Sequence, residues 1–179
     1  MASIPSTRIT DYLLKTIIVL LFVFLVWSVV SPVQAEKADR DKIRLTRAKM
    51  KALLTIQKAY FASDSSFTPD TGKLFEFVNK KGKDEISDEI FAPVIAAFMR
   101  FPEYGEHFKD VTPAAYREQY FESLTDNPMT GQKFIIEIGL KDGRKTVHIK
   151  PSSVDSEIKR VGAVIHSRVT WNEKLELTY

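Results

Sequence analysis

Residues 16–35, TIIVLLFVFLVWSVVSPVQA, carry no charged side chain over 20 positions, and their middle is almost wholly Ile, Val, Leu and Phe. At about 1.5 Å per residue a helix of this length reaches about 30 Å, the thickness of a bilayer's hydrocarbon core. A soluble domain rarely keeps so long a run uncharged, so the stretch reads as a membrane-inserting helix and the rest as what it tethers or exports. Ile17, Leu20, Phe22 and Phe24 supply its apolar surface. Trp27 lies within a turn or two of the far end, where it serves either as an interfacial anchor or as one more lipid-facing residue. Pro32 predicts a kink or interruption near the headgroups.

Two readings compete for the N-terminus. Arg8 and Lys15 ahead of the run, with Val33-Gln34-Ala35 before Glu36, have the layout of a secretory signal and its cut. The length of the run favours an uncleaved signal-anchor. Orientation divides in the same way. Lys37, Arg40, Lys42, Arg44, Arg47, Lys49 and Lys51 follow the span, and a positive-inside count places the following domain in the cytoplasm. The short signal-like leader argues for the other side. The expected location is the bacterial inner membrane, single-pass, with the C-terminal domain periplasmic and the cytoplasmic side left open.

About 144 of the 179 residues follow the run, enough for one domain with its own core. Hydrophobic content of 44% and charged content of 27% exclude a disordered tail, and 12 Phe and 6 Tyr provide ample material for burial. A net charge of +3 gives no global pointer to nucleic acid, and no aromatic residue interleaves with the basic ones before Tyr60. With no cysteine, disulfides, zinc–thiolate sites and thiol catalysis are excluded.

Residues 36–62 lack Gly and Pro and are rich in helix formers. Ile43, Met50, Leu53, Leu54, Tyr60 and Phe61 recur at helical spacing, so the pattern predicts an amphipathic stalk that enters the domain core near Met50. Lys37, Arg40, Lys42, Arg44 and Arg47 on its charged first half are candidates for anionic headgroups or a partner; a solvated charged face is the simpler alternative. Ser63–Ser66 breaks the helix. Thr68-Pro69 predicts a cap with proline at the first helical position of a short helix that buries Leu74, Phe75, Phe77 or Val78. The run KKGK at 80–83 reads as an ordinary helix stop.

Residues 84–100 turn from acidic to apolar, with Pro93 expected to start a second helical stretch. Residues 101–105 read as a turn. Thr112-Pro113 repeats the cap signal and opens a helix carrying Tyr116, Tyr120, Phe121 and Leu124, whose aromatics belong to the core or line a ligand groove. After the loop at 126–131 the period changes. Residues 133–140 and 146–150 read as strands joined at the Asp142-Gly143 turn. A loop or short helical turn begins at Pro151, a third strand is expected over 161–170, and a fourth over 175–179. Helices first and strands last give an α+β fold: a transmembrane helix continuing into an amphipathic helix, short helices, then a small antiparallel sheet. The divisions are a polar 1–11, the span at 12–35, the stalk at 36–62 and a globular 63–179.

His148 and His166 fall on expected strands, and His107 in a loop. His107 with Glu103 and Glu106 has acceptable metal-ligand chemistry, but the spacing matches no helical metal pair and a solvated loop is the default. No nucleophile elbow surrounds a serine, no Gly-rich nucleotide fingerprint occurs, and no carboxylate pair stands out. The expected function is therefore non-enzymatic and cofactor-free.

The layout resembles the type IV pilins and the pseudopilins of type II secretion. The matching features are the apolar run at 16–30, Pro32, the helix to Ala62, residues 66–69 (SFTP) ahead of a hydrophobic helix, and the strands from Lys133. The family's Gly-Phe-Thr-Leu-Ile-Glu leader junction is absent; YLLK stands at 12–15. The resemblance implies the fold and an assembling envelope protein. The primary expectation is an accessory or structural subunit of a larger membrane assembly, with the bilayer and other complex subunits, or further copies of itself, as partners and no nucleic acid. A pilin-like self-assembling protein and an exported soluble ligand-binding domain, or an enzyme with its ligand among the central aromatics, are the alternatives.

Overall fold

A computed structural model describes residues 6–80 and 85–172. The protein is α+β, as its periodicity predicts. Helix α1 runs from Ser6 to Asp64, followed by α2 (Thr71–Lys80), α3 (Glu85–Phe98), α4 (Pro102–Phe108), α5 (Pro113–Tyr120) and a 3₁₀ turn (Phe121–Thr125). The sheet then forms from β1 (Ile135–Lys141), β2 (Arg144–Lys150), β3 (Val164–Ile165) and β4 (Arg168–Val169), with α6 (Asp155–Val161) between β2 and β3. Its order is β1-β2-β3-β4, antiparallel throughout. The chain divides into two compact units, one ending at Asp39 and the other spanning Arg40–Tyr179.

In the first unit, α1 continues through Pro32 without a break. Proline there removes only its own N–H and so releases the Ser28 carbonyl from the ladder.

The second unit is built around the rest of α1. Leu45, Met50, Leu53, Leu54 and Ile56 are buried, and so are Thr46, Lys49 and Gln57 interleaved among them, a buried arc of about half the helix circumference. An arc this wide, with Lys51 and Lys58 exposed on the remaining side, makes it the helix around which the core packs. Leu74 and Val78 of α2, Ile90, Phe91 and Val94 of α3, Tyr116 of α5 and Val147 and Ile149 of β2 complete the same core. Core packing begins at Leu45, about a turn before Met50.

Local chemistry corrects several expectations. The helix after the break starts at Thr71, not at Pro69, because Asp70 is the cap: its carboxylate accepts from Gly72 N at 2.9 Å and Lys73 N at 3.4 Å. Thr68 is engaged elsewhere. Gln57 donates to its carbonyl and accepts from its N–H at 3.2 Å, mimicking a backbone pair inside the core. Pro93 lies within α3 rather than starting a helix. Ile90, Phe91, Val94 and Ile95 hold one face of α3 in the core, while Pro93 points to solvent, so packing carries the helix across it. Residues 101–105 are not a simple turn: Pro102 begins α4, and His107 is therefore helical rather than in a loop. Gly105 fits there because a Cβ would lie 3.1 Å from the Met99 carbonyl oxygen.

Thr112 caps α5 as expected, accepting from Ala115 N at 3.2 Å, with Pro113 at the first turn. The Asp142-Gly143 turn joins β1 to β2 with φ of 52° and 75°, the left-handed pair that a two-residue hairpin demands. The strand expected over 161–170 is instead the end of α6 and a second tight hairpin. Gly162 at φ 92° ends the helix, and His166 and Ser167 turn at φ 51° and 59°. His166 thus sits at a turn, not on a strand. The strand expected over 175–179 and the stop at 81–83 lie outside the described residues.

Candidate functional site

The apolar segment presents its side chains outward. Ile17 is 44% exposed, and Leu20, Phe22, Phe24 and Trp27 each exceed 60%. From Asp11 to Ala38 no residue is even half-buried. The same helix therefore has the length and composition to cross a membrane. The Thr16 and Ser28 hydroxyls are satisfied within it, Thr16 donating to Tyr12 O and Ser28 to Leu25 O, both at 2.9 Å. That back-bonding removes the donors that hydrocarbon cannot satisfy.

The basic residues after it separate into two groups. Lys37, Arg40 and Lys42 are exposed. Arg44 is half-buried, 3.9 Å from the Asp41 carboxylate. Arg47 is held by the domain: its Nε donates to Val161 O at 2.7 Å and its guanidinium lies 5.8 Å from the Trp171 ring centroid. Lys49, one helical turn beyond Leu45, is only 4% exposed. Its ammonium donates to Ser123 O at 2.6 Å and Asp126 O at 3.1 Å. Burial pulls its pKa down from 10.5 to about 8, partly opposed by Asp126. Sequence counts Lys49 with the surface charges, whereas it anchors the end of the 3₁₀ turn to the central helix.

The central aromatics form a packed cluster. Tyr116 is fully buried, with Phe91, Phe98, Phe108 and Tyr120 rings within about 6 Å of its own. Burial raises its pKa to about 12 against the lowering effect of the Ser123 hydrogen bond. The expected alternative of a ligand groove at Tyr116 is not what the packing shows. Tyr120 is half-buried, its hydroxyl hydrogen-bonded to His107 Nε2. Among the described residues no group of three His, Asp or Glu side chains could hold a metal ion, so His107, Glu103 and Glu106 do not assemble one.

A polar feature that the sequence reading passes over lies on the sheet. Alternation along β2 sends Val147 and Ile149 into the core and Arg144, Thr146, His148 and Lys150 to the opposite face. Opposite them on β1, in register, stand Lys141, Gly139, Glu137 and Ile135. Lys150 donates to Glu137 at 2.7 Å, and that bond holds the Glu137 carboxyl below its usual range. The His148 ring reaches diagonally over Gly139, whose absent Cβ would fall 2.6 Å from Nε2. His166 contributes an edge-to-face contact at 4.8 Å between ring centroids. Burial, then His166 and Lys150, lower the His148 pKa, with Glu137 opposing. Two depressions adjoin at Arg168: one of about 660 Å³ against Lys51, Leu54 and Lys58 of α1, the other of about 480 Å³ over the β1–β2 hairpin. The alternation of residues 146–150, expected as a strand, is the signal that could have placed Thr146, His148 and Lys150 on one face.

Comparisons with protein families, curated proteins and solved structures find no match.

Proposed function

We propose that the chain is a single-pass, membrane-anchored, non-enzymatic envelope protein that serves as an accessory or structural subunit of a larger membrane assembly. The observation that carries this reading is the run of outward-facing apolar side chains from Tyr12 to Val33, which no described residue covers. Water would leave this surface very costly, whereas hydrocarbon or another apolar helix removes the cost. Confinement to the bilayer would raise the domain's effective concentration near membrane partners. The non-enzymatic part of the proposal rests on the absence of a nucleophile, nucleotide or acid–base motif in the sequence. Periplasmic placement in a bacterial inner membrane belongs to the same proposal.

A pilin-like self-assembling protein is the second reading. It is favoured by the helix that runs unbroken from the apolar segment into the core and by the antiparallel sheet that follows.

The test is gentle detergent extraction, purification through a C-terminal tag and identification of what accompanies the protein. Stoichiometric foreign membrane subunits support the first reading, and a ladder of self-oligomers alone supports the second. A lone soluble monomer lacking the apolar segment overturns both. Leu21→Arg together with Phe24→Arg supplies a physical control: two charges at the centre of a span cost about 5–7 kcal/mol of insertion, comparable with the total that its Ile, Val, Leu and Phe residues contribute at about 0.3–0.6 kcal/mol each. The variant should shift measurably from the membrane to the soluble or degraded fraction, and unchanged insertion would refute the span.

A further inference from the structure

We propose that the depression over the β1–β2 hairpin binds the phosphate group of a phosphomonoester. Lys141, Arg144 and Arg168 surround it, with Thr146 and His166 at its floor and Asp142 as its one carboxylate. Three fixed cations against one carboxylate favour an anion and oppose a metal ion, although two imidazoles are close by. Among the described residues, none of the three cations has an ion-pair partner.

A basic rim alone would be an ordinary solvated surface; the floor distinguishes this one. Thr146 is only 9% exposed, and its hydroxyl has no hydrogen-bond partner. His166 Nδ1 is likewise buried without one, and so is His148 Nε2 behind it. Buried polar atoms are almost always paired, so the unpaired ones of Thr146 and His166, both lining a depression with a cationic rim, mark a place built for an outside partner. A tetrahedral oxyanion suits this set. It accepts from a hydroxyl and an imidazole N–H at the floor and from forked guanidinium groups at the rim. The backbone keeps the floor in place. Ser167 N donates to Val147 O at 2.9 Å and Val147 N to Ser167 Oγ at 3.1 Å, pinning the His166 turn to β2. At about 480 Å³ the depression exceeds a bare phosphate ion, which leaves room for the esterified group.

The full chain in non-ionic detergent is titrated with glycerol 3-phosphate while the imidazole ¹H–¹⁵N signals of its three histidines are followed. The expected result is saturable shifts at His166 and His148 and none at His107, which sits on α4 bonded to Tyr120. Removing two charge-assisted contacts with Arg144→Gln and Arg168→Gln together should weaken binding by about tenfold or more. Both arginines are exposed, so the fold survives the change. Thr146→Val, which replaces the buried hydroxyl by a methyl of equal size, should weaken binding while leaving the His107 signal in place. The titration is repeated in nanodiscs of phosphatidylcholine alone and doped with phosphatidic acid. His166 shifts caused by phosphatidic acid assign the site to a lipid headgroup; shifts from glycerol 3-phosphate alone assign it to a free metabolite. Shifts that sodium chloride reproduces at equal ionic strength, or binding unchanged in the double variant, overturn the proposal.

Discussion

Lys49 offers the sharpest test of how the domain is held together, because its buried ammonium makes stability depend on pH in an unusual direction. The folded chain releases the Lys49 proton near pH 8, whereas the unfolded chain holds it to about 10.5. Between those values the unfolded state binds more protons, so stability rises with pH. The slope approaches about 1.36 kcal/mol per pH unit, and the full interval amounts to about 3 kcal/mol. Tyr116 acts with the opposite sign and in a different window. It keeps its proton to about pH 12 when folded and to about 10 when unfolded, so its contribution is lost above pH 10. The clean window for Lys49 is therefore pH 8 to 10.

Lys49→Met removes the charge and keeps the stem. At pH 7 the relief of about 3 kcal/mol of desolvation opposes the loss of two charge-assisted bonds to Ser123 O and Asp126 O, each worth about 1.5–3 kcal/mol. The two bonds together total about 3–6 kcal/mol, which equals or exceeds the relief, so stability at pH 7 alone does not report the burial and the slope is the diagnostic quantity. Urea unfolding of the detergent-solubilised chain, followed by the near-ultraviolet circular dichroism of the aromatic cluster, should show the wild type gaining stability from pH 8 to 10. Lys49→Met should lack that gain, and subtracting the two curves cancels every other titrating group. Equal slopes would refute the buried, charged lysine.

Two further substitutions probe the same domain by urea denaturation. Asn127 is fully buried, donating to Pro151 O at 2.6 Å and accepting from Met129 N at 2.9 Å; Asn127→Ala leaves both backbone groups unsatisfied and should cost about 2–4 kcal/mol. Gly162→Ala should cost a similar amount, about 2–4 kcal/mol, from a left-handed backbone and overpacking. Its new Cβ would lie 2.8 Å from Trp171 Cε3, so Trp171→Leu in the same chain should recover only the packing part.

The fold was legible wherever one periodicity dominated and packing agreed with it. The cap at Thr112 and the Asp142-Gly143 hairpin each rest on local chemistry that the structure leaves unopposed. The misreadings arose where tertiary contacts overrode a local signal. Thr68-Pro69 has the form of a helix start, yet Gln57, eleven residues upstream, occupies the Thr68 backbone and the cap passes to Asp70. Pro93 has the form of a break, yet its ring falls on the solvent side of a helix whose other face is in the core. Residues 161–170 are β-branched and apolar enough for one strand, but two non-glycine residues at positive φ fold them into a hairpin. Serine seldom signals such a conformation, and here the Ser167–Val147 bonds compensate for it.

The candidate sites were legible to different degrees for a related reason. Solvation of an unbroken apolar run depends on composition, and composition can be read without coordinates. Charge is different, because a lysine or arginine has the same sequence signature whether it meets solvent or carbonyls. Lys42 and Lys49 are seven residues apart on one helix, nearly in line along it. Lys42 is exposed, and Lys49 is closed in by the 3₁₀ turn that arrives more than 70 residues later. The histidine face had the same difficulty. Alternation places His148 beside Thr146 on one side of β2, but only the return of the β3–β4 turn brings His166 against it. A function carried by such a site is therefore set by long-range register, and the pairing of Ile149 with Val164 is the contact that fixes it.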